Sequence, residues 1–135
     1  MIGPDVLATS TSSLLSGTRA LALAPVLGQT MPPLVGVAVH VDDVARAHID
    51  ALKSNVAGNA DYILTADGVE GVVWDDGKKA VRNLKGAEVL KMNGIMETVK
   101  WRVDSSVTNK VFGWECRTFE ITMRDLVRQY LELVQ

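Results

Sequence analysis

The chain has a single cysteine, Cys116, which excludes an internal disulfide framework and suits a reducing cytoplasm. Only two histidines, His40 and His48, stand beside it, so the His and Cys ligands of a transition-metal site are missing and no metal is expected. Aromatic residues make up 5% of the 135 positions. Any ring-lined pocket must therefore draw on Trp74, Trp101 and Trp114. No apolar run is long enough to span a bilayer, and no basic segment followed by an apolar run opens the chain, so neither a membrane anchor nor a leader is expected. Fourteen Lys and Arg against sixteen Asp and Glu give a net charge of −2. The basic residues are scattered, which leaves no electrostatic footprint for nucleic acid. What remains is 47% apolar and 22% charged, the composition of one globular domain over residues 1–135 with no internal boundary.

Periodicity places the elements. Hydroxyl-rich Thr9 to Ser16 leads into apolar Ala20 to Ala24, which predicts one capped helix over 11–23, weakened at Gly17 and closed near Pro25. Pro32 and Pro33 read as an extended connector. Val37, Val39 and Val41 then alternate with Ala38 and His40, the two-residue period of a strand over 36–41. Asp42 or Asp43 offers a carboxylate to the free N–H groups of a helix over 42–54. Val44, Ala47, His48 and Ala51 share the inner face of that helix, and Asp42 pairs with Arg46 outside. A second strand is expected at Tyr62–Thr65, followed by a helix starting at Trp74–Gly77 with Ala80, Val81 and Leu84 inward. The segment 98–103 predicts a half-buried strand with Val99, Trp101 and Val103 on its inner side. A turn at 104–106 precedes the last helix, where Phe119, Met123, Leu126, Val127, Tyr130 and Val134 hold helical spacing. The fold class is α/β, a small mixed sheet with about four helices.

The segment from Val37 to His48, reading VAVHVDDVARAH, resembles the V-H-V-x-D-V-A-x-A-H element of extended short-chain dehydrogenase/reductases, of the dihydroflavonol-reductase and cinnamoyl-CoA-reductase type within the NAD-dependent epimerase/dehydratase family. Met1 to Asp5 is similar to the I-G-P that ends the last core strand of that fold, and Asp61 to Leu64 to its following strand. Phe112–Gly113, Thr118 to Glu120 and Asp125 to Tyr130 resemble its closing helix. The resemblance implies a partial Rossmann-type fold, the C-terminal, substrate-binding region of such an enzyme. Two parts of the family pattern are missing. No G-x-x-G-x-x-G or G-x-G-x-x-G turn occurs, the turn that brings a pyrophosphate to a helix N-terminus. Nor does a Tyr-x-x-x-Lys: the residues four beyond Tyr62 and Tyr130 are Ala66 and Val134.

By that resemblance, the segment after I-G-P passes beside nicotinamide and substrate, so Gly3, Pro4, Thr9, Thr11 and Ser12 are candidate cleft residues, with Gly3 and Pro4 the only ones near a cofactor. Ordinary capping of the next helix is the competing account of the hydroxyls. Trp74, Trp101 and Trp114 are ligand-lining or core. His40, Asp43 and Glu115 are acid/base candidates. Against them stand a structural histidine in a strand, a first-turn helix acid, and a carboxylate that makes the adjacent Cys116 thiol less acidic. Asp42–Asp43 and Asp75–Asp76 read as helix starts rather than metal ligands. The expected function is binding of a small, largely apolar organic molecule without hydride transfer, NAD(P) requiring a separate or upstream domain. Alternatives are a non-redox isomerase or cyclase in small-molecule biosynthesis, and a non-catalytic interaction domain. A homo-oligomer, or a chain supplying the missing sheet, is the expected partner.

Overall fold

Six α-helices and one parallel pair of strands form the chain, described over residues 1–135 by a computed structural model. In order these are α1 (Thr11–Leu14), α2 (Gly17–Leu23), β1 (Met31–Val35), α3 (Val41–Asp50), α4 (Asp76–Val81), β2 (Met96–Val99), α5 (Ser106–Phe112) and α6 (Phe119–Val134). The class is α/β, as the alternating periods imply. The sheet is parallel, Met31 facing Met96 and Val35 facing Val99. No helix is long and apolar enough to cross a membrane.

Helix α6 carries the core. Phe119, Met123, Leu126, Val127 and Leu131 are buried on one face, against Leu14, Leu23, Val81 and Met96. Burying each large side chain is worth about 1.5–3 kcal/mol. The spacing read from the sequence holds except at its end, where Val134 is exposed and Leu131 takes the inner position. Thr118 caps α6 through a bond from the Ile121 N–H, and Asp67 accepts from the Phe119 N–H.

Other elements depart from the expected pattern for identifiable reasons. The helix over 11–23 is two helices, because Ser16 is extended and Gly17 takes φ +56°. Ser10 and Ser13 close a capping box on the first. The strand lies at 31–35 and contains both prolines; the register is irregular between Met31 and Leu34, where the missing N–H groups fall. Residues 36–41 run on as extended chain, bonding Ile2 on one side through Val39 O and the Val41 N–H, and Ala66 on the other through Ala38 O. Tyr62–Thr65 joins no ladder and makes no backbone–backbone hydrogen bond. In the segment 96–99 the phase is reversed: Met96 is buried, while Val99 and Trp101 are exposed. Thr98 Oγ1 accepts from the Trp74 N–H at 2.9 Å and fixes which side faces in. Residues 106–112 form a helix in place of a simple turn, closed by Gly113 at φ +75°.

Candidate functional site

Five depressions of note mark the surface, among them a hollow of about 230 Å³ between α3 and Tyr62, Leu64 and Phe112, and one of about 240 Å³ beside Leu84 and Leu131. Two wide ones, about 510 and 460 Å³, are rich in carboxylates, with Asp67, Glu70, Asp76 and Glu120 in one and Glu70, Asp75 and Glu97 in the other. No group of three or more His, Cys, Asp or Glu side chains is arranged to hold a metal ion. The last, about 220 Å³, is apolar and lies where Ile2, Leu21, Leu34, Val35, Val37 and Trp74 converge, with Thr18 and Met1 at its edge. An apolar cleft with few polar groups is the usual form of an organic-ligand site.

The cleft is assembled from distant parts of the chain. Ile2 is bonded into the 39–41 segment, and the prolines of β1 lead Leu34 and Val35 to its wall. Trp74 is buried; its indole N–H donates to Val35 O at 3.0 Å, and its ring meets Phe119 edge-on at 5.4 Å. The Thr18 hydroxyl donates to Met1 O at 2.6 Å, which leaves its lone pairs as the side-chain acceptor at the rim.

Of the eight cleft and ligand-lining candidates, only Trp74 lines this cleft. Thr9 and Ser12 are exposed and Pro4 and Thr11 half-buried. Ser12 bonds Ser10 within the α1 capping turn. Trp101 is 59% exposed, away from the other two rings. Trp114 stacks on Phe112 at 5.7 Å, receives the Arg46 guanidinium at 4.5 Å, and donates to Asp50 at 2.7 Å. The hydroxyl that does reach the cleft, Thr18, follows the break at Gly17, a residue read from sequence only as a weak point in one helix.

No hydrogen bond or ion pair joins the side chains of the three acid/base candidates. Asp43 is buried and fully engaged, accepting from the Arg117 guanidinium at 2.6 Å and from the Arg117 backbone N–H at 2.7 Å. Glu115 is exposed. His40, 1% exposed, caps α3 itself: its Nδ1 accepts from the Asp42 N–H at 3.1 Å, in place of the aspartate cap read from sequence. Asp42 and Asp43 then sit in the first turn of α3. That helix start is thus filled by an imidazole and two acids, both paired with Arg117. Gly3 is tight against it; a Cβ there would lie 2.7 Å from Val41 Cγ1, at φ +145°. His48, expected to pack inward, is exposed and its Nδ1 lies 2.7 Å from Val44 O. Arg46 pairs with Asp50 at 3.7 Å, not Asp42, which faces Arg117 at 3.5 Å. At the start of α4, Asp75 makes no cap and accepts instead from the Met96 N–H.

The inner face of α3 is thus a pair of carboxylate clasps, Asp43 on Arg117 and Asp50 on Trp114. The hydrogen bond from Lys53, then that from Trp114, holds the Asp50 carboxyl below its ordinary value of 3.8. The backbone N–H of Ser106, and then its hydroxyl, does the same for Asp104. Burial, and secondarily the Asp43 charge, pushes the Cys116 thiol up, the opposite of a nucleophile's tuning. Because folding lowers the Asp50 value, its contribution is present above 3.8 and is lost as pH falls through the folded value. Denaturant titrations of wild type and D50N are expected to differ at pH 7 and to converge in acid; equal stabilities at both would remove the clasp.

The chain thus combines an α/β fold, a short parallel pair and an apolar cleft walled by Trp74. Among known proteins, it is similar to Ketoreductase CTB6 of Cercospora nicotianae and of Cercospora beticola, 38% identical over 100 residues in each case. Ketoreductase sphI of Aspergillus fumigatus is 30% identical over 94 residues. Each match takes in 70% of this chain but only 28%, 28% and 27% of the relative. The chain is therefore related to proteins named as reductases and spans under a third of their length. No family model matches the chain, and no solved structure gives a significant match.

Proposed function

We propose that this chain is the substrate-side portion of a short-chain-reductase-like protein, and that its apolar cleft holds a small, largely apolar organic molecule in the cytosol. The observation that carries this reading is the cleft itself, bounded by Leu34, Val35, Val37 and Trp74, with Thr18 as its polar edge. Similarity to ketoreductases supports a carbonyl compound as the class of ligand. Trp74 supplies a flat apolar wall and Thr18 a hydroxyl able to orient an oxygen. With no glycine-rich turn, no Tyr-x-x-x-Lys and an occupied α3 N-terminus, the chain by itself transfers no hydride. A nicotinamide cofactor, which supplies hydride when bound, would be held by another polypeptide segment or chain.

A W101F/W114F background leaves Trp74 as the only indole. Titration with 1-tetralone, a bicyclic ketone, is expected to quench its fluorescence saturably, and V37F, which fills the cleft without adding an indole, to abolish the effect. Absence of saturable quenching in the background protein would overturn the ligand assignment. NADPH titrated alone is expected to give no saturable change; tight binding would overturn the division of labour.

A further inference from the structure

His40 carries the one buried imidazole atom without a partner, Nε2. The cap bond from the Asp42 N–H to Nδ1 requires Nδ1 to be an acceptor, which assigns the neutral ring's proton to Nε2. That N–H points at Asp125 on α6, whose Oδ2 lies 3.6 Å away, just beyond a hydrogen bond. The Asp125 Oδ1 is meanwhile held outward by Arg128 at 3.1 Å. Gly3 closes the space beside the ring, a Cβ there falling 3.4 Å from Nε2.

We propose that His40 and Asp125 form a proton-operated latch between the N-terminus of α3 and α6. With His40 neutral, its ring caps α3 and Asp125 stays with Arg128. A proton taken from solvent onto Nδ1 sets two N–H groups face to face, and the cap bond to Asp42 is lost. The imidazolium then has two carboxylates within reach, Asp42 Oδ2 at 3.8 Å from Nδ1 and Asp125 Oδ2 at 3.6 Å from Nε2. Behind them stand the counter-charges that compete for those carboxylates, Arg117 on Asp42 at 3.5 Å and Arg128 on Asp125. The other acid on this stretch of α3, Asp43, is turned away onto Arg117, and Asp5, next to Gly3 and Pro4, is paired with Arg19 at 2.8 Å. Acid therefore releases the start of α3 and draws Asp125 inward, moving the contact between the two helices without any ligand. The device is independent of the cleft and of the reading given to it.

The test is NMR on the full chain from pH 8 to pH 5, the range in which imidazoles titrate. Ring nitrogen shifts are expected to report the Nε2–H tautomer at high pH and a single protonation step. The exchange protection factor of the Asp42 amide is expected to fall about fivefold through that step, the loss of one helix cap. In H40N, whose side chain caps without titrating, the step should vanish. In D125N, which removes a half-exposed counter-charge and leaves the cap intact, it should move to more acidic pH. An Nδ1–H tautomer, an Asp42 amide indifferent to His40 protonation, a step that persists in H40N, or an unchanged step in D125N would each overturn the latch. If H40N does not fold, the wild-type tautomer and D125N decide alone.

Discussion

Replacing Arg117 with alanine is expected to destabilise the chain by about 3 kcal/mol, the low end for removing one partner of a buried ion pair. The carboxylate left behind, Asp43, is 5% exposed, and its Oδ1 loses the 2.6 Å guanidinium bond. Only the Arg117 backbone N–H, at 2.7 Å on Oδ2, remains to solvate it. Arg117 itself is 38% exposed, so water enters when its side chain is removed, and the effect stays at the lower bound. Urea unfolding of R117A against wild type measures it. R117K should recover part of the loss, because an ammonium keeps the charge but not the guanidinium geometry. A change below the error of the titration would mean that the clasp contributes nothing to holding residues 114–117 on α3.

The second large effect is expected at Gly94. An alanine Cβ there would sit 2.3 Å from Gln29 O, 2.7 Å from Gln29 N and 2.8 Å from Pro25 Cα. All three are backbone atoms and cannot swing aside. The loop must instead move off the end of α2, breaking the bonds from Gly94 N to Pro25 O and from Met92 N to Val26 O, each 3.0 Å. Lys78, which donates to Gly94 O at 2.7 Å, would lose its partner as well. Overpacking of this kind costs about 3 kcal/mol. A melting temperature for G94A equal to wild type would show that the loop can separate without loss. The same substitution at Gly58, where a Cβ meets nothing, is the control.

Much of the fold was legible because it rests on local rules. The α6 stripe follows from residues three and four apart. The α/β class follows from the change of period around residue 41. The strand at 96–99 was misphased because alternation identifies two faces but not which one is inward; Met96 lies just outside the stretch that alternates most cleanly. Tyr62–Thr65 has the composition of a strand and lacks a neighbour, which no local pattern reports. The helix at 106–112 was missed because its serines read equally well as a turn.

The site was less legible for the same reason. Trp74 was identified by size and rarity, and Thr9, Thr11 and Ser12 by resemblance to a segment that here forms a capping turn. Thr18, Leu34 and Val37 carry no individual signature, and they become one wall only when Ile2 pairs beside residues 39–41.

The amino-acid sequence by itself determined the class of fold, the amphipathic closing helix, the family resemblance and the lack of a glycine turn or Tyr-x-x-x-Lys, since each is a matter of residue type at short spacing. Tertiary structure alone decided that His40 caps α3 with one nitrogen and leaves the other facing Asp125, that Asp43 and Asp50 face inward, and that the apolar cleft forms at Ile2 and Trp74. Those outcomes depend on contacts between residues many positions apart, such as Asp43 with Arg117 and Trp74 with Val35. Short-range patterning sets the period of an element, and only packing against the rest of the chain sets which side of it is inside.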